Sequence, residues 1–272
     1  MTAKPLSPDQ LPEGWTDGAA EYDTWFAPVT SRFAGDAVAL LGIGSGDRVL
    51  DVAAGTGAFT LAAAAAGATV LAIDFADGMV DLLSAKIAAT GVDATAARMD
   101  GQALDLADGS FDAAGSLFGL MFFPDMDAGV REMARVVRPG GRVVIGVWHR
   151  AGFTLPTTVM RALRTVVPGM APPQREFAPF RLADPEAVGD LLTRCGLRDV
   201  RVQVATHVAE IPDPAGMFRA APRWSQPLRP AFDALTGEQR ERAARAFADL
   251  ITDGDDRVGR LPGSAVLGVG TV

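Results

Sequence analysis

Val49-Leu50-Asp51-Val52-Ala53-Ala54-Gly55-Thr56-Gly57-Ala58-Phe59-Thr60 joins an apolar, β-branched run to a glycine-bearing turn, and an alanine-rich segment from Leu61 to Ala66 follows. The order is strand, tight loop, helix. Gly55 and Gly57 lack a Cβ and tolerate positive φ, so a ligand can lie against the backbone there. The first turn of the following helix offers N–H groups without intrahelical partners to a polar or anionic group. Asp51 falls at the carboxyl end of the strand, the side on which open parallel sheets bind ligands. A crevice for a small molecule is the reading that joins these features.

Taken alone, Gly-x-Gly fits a plain tight turn equally well. Two neighbouring strand ends separate the alternatives. Thr69-Val70-Leu71-Ala72-Ile73 ends in Asp74, and the weaker strand Ala94 to Met99 ends in Asp100. Carboxylates are costly to bury unless something pairs with them, so packing is a poor reason for three in succession. Thr60 stands where the nicotinamide fingerprint Gly-x-Gly-x-x-Gly needs its last glycine, which leaves an NAD-dependent oxidoreductase as the weaker alternative.

From about Tyr22 to Trp148, with fainter echoes beyond, the chain resembles the class I S-adenosylmethionine-dependent methyltransferases. The likeness is strongest to the small-molecule branch of ubiquinone and menaquinone C-methyltransferases. The resemblance implies S-adenosyl-L-methionine as cofactor and an α/β fold: a doubly wound, seven-stranded, mostly parallel sheet with a helical substrate cap and an antiparallel closing pair. It implies Asp51 facing the methionine ammonium through water, and Gly55 and Gly57 admitting the methionine and ribose portions. Asp74 would take the ribose hydroxyls, and Phe75 and Met79 would flank the adenine. Asp100 would accept from the adenine amino group, beside backbone contacts from Gly101 and Gln102. Ser116, Leu117 and Phe118 would line the methionine side, and Tyr22 and Phe26 would lie on an aromatic helix closing over the cofactor. Relatives often have glycine where this chain has Ala53, a departure expected to change cofactor affinity only slightly.

Methyl transfer from a sulfonium needs approach, alignment and desolvation more than acid–base help. If a general base is used, His149, just past the fifth strand, is the candidate, because an unperturbed imidazole titrates near neutrality. His207, late in a strand, reads as structural. The acceptor expected is a small apolar metabolite or natural-product intermediate with an O-, C- or N-nucleophile, any anionic group being met by Arg219 or Arg223. A non-methylating user of the same fold, such as a cofactor-assisted cyclase or decarboxylase or an inactive regulatory subunit, would carry the same binding motifs.

Bulk composition agrees with a small-molecule enzyme. The 272 residues suit one α/β domain with an insertion. A net charge of -8, without a basic run, argues against nucleic acid as partner. No apolar window spans a membrane and no signal peptide is visible, so the cytoplasm is the expected compartment, with the protein a monomer or homodimer. One cysteine and two histidines leave no basis for a disulfide framework or a metal site.

The remaining expectations concern organisation. Residues 1–35 read as N-terminal lid helices, 36–150 as the cofactor-binding core and 151–183 as a substrate-region insertion. Residues 184–272 would complete the core, with cap helices at about 213–252. Residues 1–15 read as mobile or draped, Pro28 as a kink or a division in the first helical stretch, and Asp77 as a helix N-cap. The stretch 149–183, rich in proline, reads as irregular or a broken helix. A helix over 184–195 and a strand over 197–208 follow, and Ser264 to Val269 is a last strand entered through Pro262-Gly263.

Overall fold

The computed structural model describes residues 6–170, 180–225, 228–253 and 257–272. Within them the helices are α1 (Pro12–Asp17), α2 (Ala19–Trp25), α3 (Ala27–Thr30), α4 (Ala34–Leu41), α5 (Ala58–Ala65) and α6 (Asp77–Thr90). The chain continues with α7 (Met126–Val136), α8 (Thr154–Val166), α9 (Pro185–Arg194), α10 (Pro214–Trp224), α11 (Arg229–Asp233) and α12 (Gly237–Ile251). The strands are β1 (Arg48–Val52), β2 (Thr69–Asp74), β3 (Ala94–Arg98), β4 (Phe111–Leu117), β5 (Val137–Phe153), β6 (Arg198–Ile211) and β7 (Gly259–Thr271).

The described strands form a seven-stranded sheet in the order β3-β2-β1-β4-β5-β7-β6. β1 to β5 pair in parallel, whereas β7 runs antiparallel between β5 and β6. This is the doubly wound, mostly parallel sheet that the alternation of strands and helices predicts. At the centre, Val49, Leu50 and Val52 are fully buried, as befits a parallel strand covered on both faces. Val52 is in register with Ile73, so the two strands end side by side and deliver Asp51 and Asp74 to one edge.

Pro28 acts as expected, and several other local expectations need correction. Pro28 divides the N-terminal helical stretch into α2 and α3 by taking the second position of α3, where its missing N–H would have had no partner. Asp77 is the first residue of α6 and not its cap; Ala76 holds the cap position, and the Asp77 carboxylate pairs with Arg98 at 3.2 Å. The segment after Trp148 is ordered: β5 continues to Phe153, and α8 is an unbroken helix burying Leu155, Val159 and Leu163. Pro156 is tolerated because it stands in the first turn, which needs no intrahelical N–H. Pro172, Pro173 and Pro179 lie outside the described residues. Pro262 and Gly263 fall inside β7, opposite the irregular stretch of β5 between Trp148 and Phe153. At the N-terminus, α1 rests against α6, so residues from Pro12 onward are draped on the core, the second of the two readings of that stretch.

α12 packs on α8 and α10, and α10 on α2. The Phe218 ring lies 4.9 Å from Phe232 and 5.5 Å from Phe247, all three buried. A capping box between Thr236 and Gln239 starts α12 and satisfies two otherwise unpaired N–H groups. The stretch 213–252 thus holds α10, α11 and α12; α12 packs on β7 directly, and α8 packs on β5 and β7. Among the described residues no helix is long and apolar enough to cross a membrane.

Candidate functional site

At the carboxyl ends of the central strands lies a cavity of about 600 Å³, a size typical of small-ligand sites. Its polar side is built by β1 and β2. Asp51 is 1% exposed, and its Oδ2 accepts the Thr60 N–H at 2.9 Å and the Thr60 hydroxyl at 2.6 Å. Burial nevertheless dominates and pushes its carboxyl up to about 7, with the Asp74 charge adding to the rise. Asp74 is 6% exposed; Oδ2 accepts the Gly55 N–H at 2.9 Å and Oδ1 the Ala76 N–H at 3.0 Å. Its carboxyl is raised to about 6, again by burial, against the lowering effect of those backbone donors. Asp74 therefore pins the glycine loop, and each of its oxygens retains a lone pair for a ligand.

The loop divides its two glycines between different duties. Gly55, at φ +55°, lines the cavity, and a Cβ there would have only the Tyr22 ring nearby, at 3.9 Å. Gly57 does not line the cavity. At φ +93° it caps α5, and a Cβ would stand 2.3 Å from Leu83 Cδ1, so its bareness lets α5 and α6 close together and not a ligand approach. Ala53 lines the cavity and holds φ +56° despite its methyl. Gly119 makes the room: a Cβ on it would lie 2.4 Å from Ala53 Cβ.

Phe75 and Met79 both line the cavity, one half-buried and the other buried. Asp100 reaches it from an exposed loop, and its Oδ1 accepts the Gln102 N–H at 2.9 Å and the Gln102 amide at 3.2 Å. Gln102 in turn accepts the Asp125 N–H at 2.8 Å, so it braces the loop as well as lining the cavity. Gly101 lines the cavity as well, and a Cβ on it would come within 2.6 Å of Val52 Cγ1 and 2.7 Å of Phe123 Cζ, so its bareness also serves packing.

The other end of the cavity is aromatic. Tyr22, Phe26, Leu117 and Phe118 line it as expected. Phe118 takes φ +61°, an outlier for a bulky side chain of the kind that gathers at ligand sites. The Phe26 ring stacks on Trp224 at 5.0 Å, and Trp148 stacks on Phe153 at 4.7 Å. Burial raises the Tyr22 phenol to about 12, the Thr30 hydroxyl opposing the shift and the Asp74 and Asp23 charges adding to it.

Four expectations fail here. Ser116 is fully buried in β4 behind the wall, not among the lining residues, and its Oγ has no hydrogen-bond partner among the described residues. His149 is absent from the lining too, because it follows Trp148 along β5 and successive strand residues point to opposite faces. Arg219 is paired with Glu241 at 2.8 Å and Arg223 with Glu21 at 2.7 Å; neither lines the cavity. His207 is structural as expected, its Nε2 lying 2.6 Å from Asp36 Oδ2. Among the described residues no cluster of three or more His, Cys, Asp or Glu side chains could hold a metal ion.

Sequence reasoning missed Asp9, Trp15, Trp148 and Phe153 as lining residues. A usable signal existed for the tryptophans. The chain has only four, and so large a ring at a strand end or in a cap helix is a natural wall for a flat ligand.

Comparison with known proteins follows the same line. A family model described as a methyltransferase domain matches residues 50–145. An uncharacterized protein of Mycobacterium tuberculosis is 38% identical over 169 residues, covering 60% of this chain and 59% of that protein's length. A demethylmenaquinone methyltransferase of a Mycobacterium species is 38% identical over 190 residues, covering 69% of this chain and 72% of the relative. Among solved structures, an S-adenosylmethionine-dependent methyltransferase from Thermotoga maritima superposes with a TM-score of 0.55 at 17% identity, over 96% of this chain and 99% of that one.

Proposed function

Because the chain belongs to the class I S-adenosylmethionine-dependent methyltransferases, we propose that it binds S-adenosylmethionine in the cavity and methylates a small, uncharged, apolar acceptor. The observation that carries this reading is Asp74: a buried carboxylate that holds the glycine loop by one oxygen, lines the cavity and has no cation paired with it among the described residues. The donor set suits the cofactor. Asp74 offers acceptors for a diol, Phe75 and Met79 offer apolar faces for a purine, and Asp51 offers negative charge for an ammonium.

Bound there, S-adenosylmethionine would supply a sulfonium methyl already activated for displacement. The chain would contribute alignment and exclusion of water. Phe118, Trp148 and Phe153 form a dry wall that orients a flat acceptor, and Phe26 with Trp224 faces it from the cap side. No cation from the described residues reaches that end, since Arg219 and Arg223 are engaged with carboxylates elsewhere; an anionic acceptor is disfavoured. Neither histidine lines the cavity, so the acceptor's nucleophile is one that needs no imidazole base, for instance an electron-rich carbon or an uncharged amine nitrogen.

Calorimetric titration with S-adenosylmethionine, S-adenosylhomocysteine and NAD tests the reading. Binding of the two sulfur nucleosides, lost in Asp74→Ala, is the expected result. Binding of NAD alone would overturn it.

A further inference from the structure

Leu6, Asp9, Gln10, Pro12 and Trp15 line the cavity, outside every motif discussed so far. The segment is anchored on both sides. A Cβ on Gly78 would lie 2.5 Å from the Thr16 carbonyl oxygen, so α1 sits directly on the first turn of α6. The Trp15 ring meets Phe122 at 5.1 Å and Tyr22 at 6.1 Å. Its Nε1 donates to the Asp9 carbonyl oxygen at 2.9 Å and so fixes the backbone from which the Asp9 side chain projects.

Asp9 is only 4% exposed and lines the cavity. Among the described residues nothing donates a hydrogen bond to its carboxylate and no cation pairs with it. The Asp9 oxygens are not among the sealed polar atoms without a partner, which in the described residues are Ser116 Oγ and Trp224 Nε1; they open onto the cavity and are free to accept from a ligand's donors. The segment's neighbours identify which part of the ligand that is. Trp15 packs in one cluster with Phe75, Ala76 and Met79, the residues that follow Asp74, and these are the ones assigned above to ribose and purine. On that assignment the amino acid end of the cofactor would be met by Asp51 on β1.

We propose that Asp9 is a further ligand residue of this site, accepting hydrogen bonds from the O–H or N–H donors of the nucleoside portion of S-adenosylmethionine. The inference rests on the cofactor assignment given above. It makes the N-terminal segment part of the binding site itself, with Trp15 as a positioning residue that acts through the Asp9 backbone.

The test is calorimetric titration of wild type, Asp9→Asn and Asp9→Ala with two ligands, S-adenosylhomocysteine and 5′-methylthioadenosine, which retains the nucleoside but has no amino acid end. Asp9→Ala should weaken both ligands about tenfold, the scale of one lost hydrogen bond to a charged group. Asp9→Asn keeps one acceptor oxygen and nearly the same shape, and should lose less. Unchanged affinity for both ligands would overturn the proposal, and so would a loss confined to S-adenosylhomocysteine, which would put Asp9 at the amino acid end. Failure of the wild type to bind either ligand would overturn the cofactor assignment and this inference with it, an outcome distinct from equal binding by wild type and variants.

Discussion

Asp51 and Asp74 are held at about 7 and about 6 by burial, and this fixes the sign of two pH effects. A carboxyl whose folded pKa exceeds its unfolded value binds more protons in the folded state, so it favours folding at low pH and costs stability as pH rises through the folded pKa. The ligand-free protein should therefore have a higher melting temperature near pH 5.5 than near pH 8; a flat or opposite profile would count against burial as the cause. A cationic ligand prefers the ionised pair, so S-adenosylmethionine affinity should rise with pH across about 6 to 7, with proton release visible as buffer-dependent binding heats. Ala53 and Gly119 make a second, conformational pair. Gly119→Ala alone should destabilise by about 1–3 kcal/mol through the overlap with Ala53 Cβ. Adding Ala53→Gly should recover most of that loss, because it removes the overlap and relaxes a left-handed alanine. The acids were readable from sequence because a carboxylate ending a buried strand has few purposes. His149 was not, since one step along a pleat turns a side chain from cavity to back face. Nor was Asp9, whose role depends on Trp15 meeting Phe122, more than a hundred residues away.

Helix contacts set the next level of constraint. Gly57 closes the distance between α5 and α6 while holding a positive φ, so Gly57→Ala should cost about 1–3 kcal/mol in chemical denaturation. Cofactor affinity per folded molecule should fall little, because Gly57 does not line the cavity. A loss of affinity without loss of stability would restore the ligand-approach role expected from sequence. The boundaries of β1, β2 and β4 were legible because β-branched and apolar runs were bracketed by turn residues. α8 was hidden by counting prolines without their positions: Pro156 in a first turn is harmless, whereas the same residue mid-helix would break it. The extra length of β5, β6 and β7 was illegible for a different reason. Antiparallel partners 40 and more residues apart recruit ordinary sequence into strand, and only tertiary pairing reveals that.

Cap and sheet share one apolar interior, since buried residues of α8, α10 and α12 cluster with those of β5, β6 and β7. Phe247, fully buried in α12 against Phe218, should therefore report on the entire fold. Phe247→Ala is expected to cost about 3–5 kcal/mol, with cap and sheet signals lost in a single denaturant transition; two separate transitions would show the cap to be independent.

The join between those parts has one more consequence. Ile211, the last residue of β6, is in register with Gly259, the first of β7, so the chain leaves the ladder and rejoins it at a single rung. Gly259 is so closely overlaid that a Cβ would touch Ile251 and Pro214, the far ends of the intervening helices. An excursion with touching ends can lengthen, shorten or exchange its surface without shifting the sheet beneath it. It carries Trp224 and Leu228 into the cavity but none of the three acids. Evolution is thereby handed a cassette: rewriting that one excursion could change the molecule that is accepted while the grip on the donor is inherited unaltered.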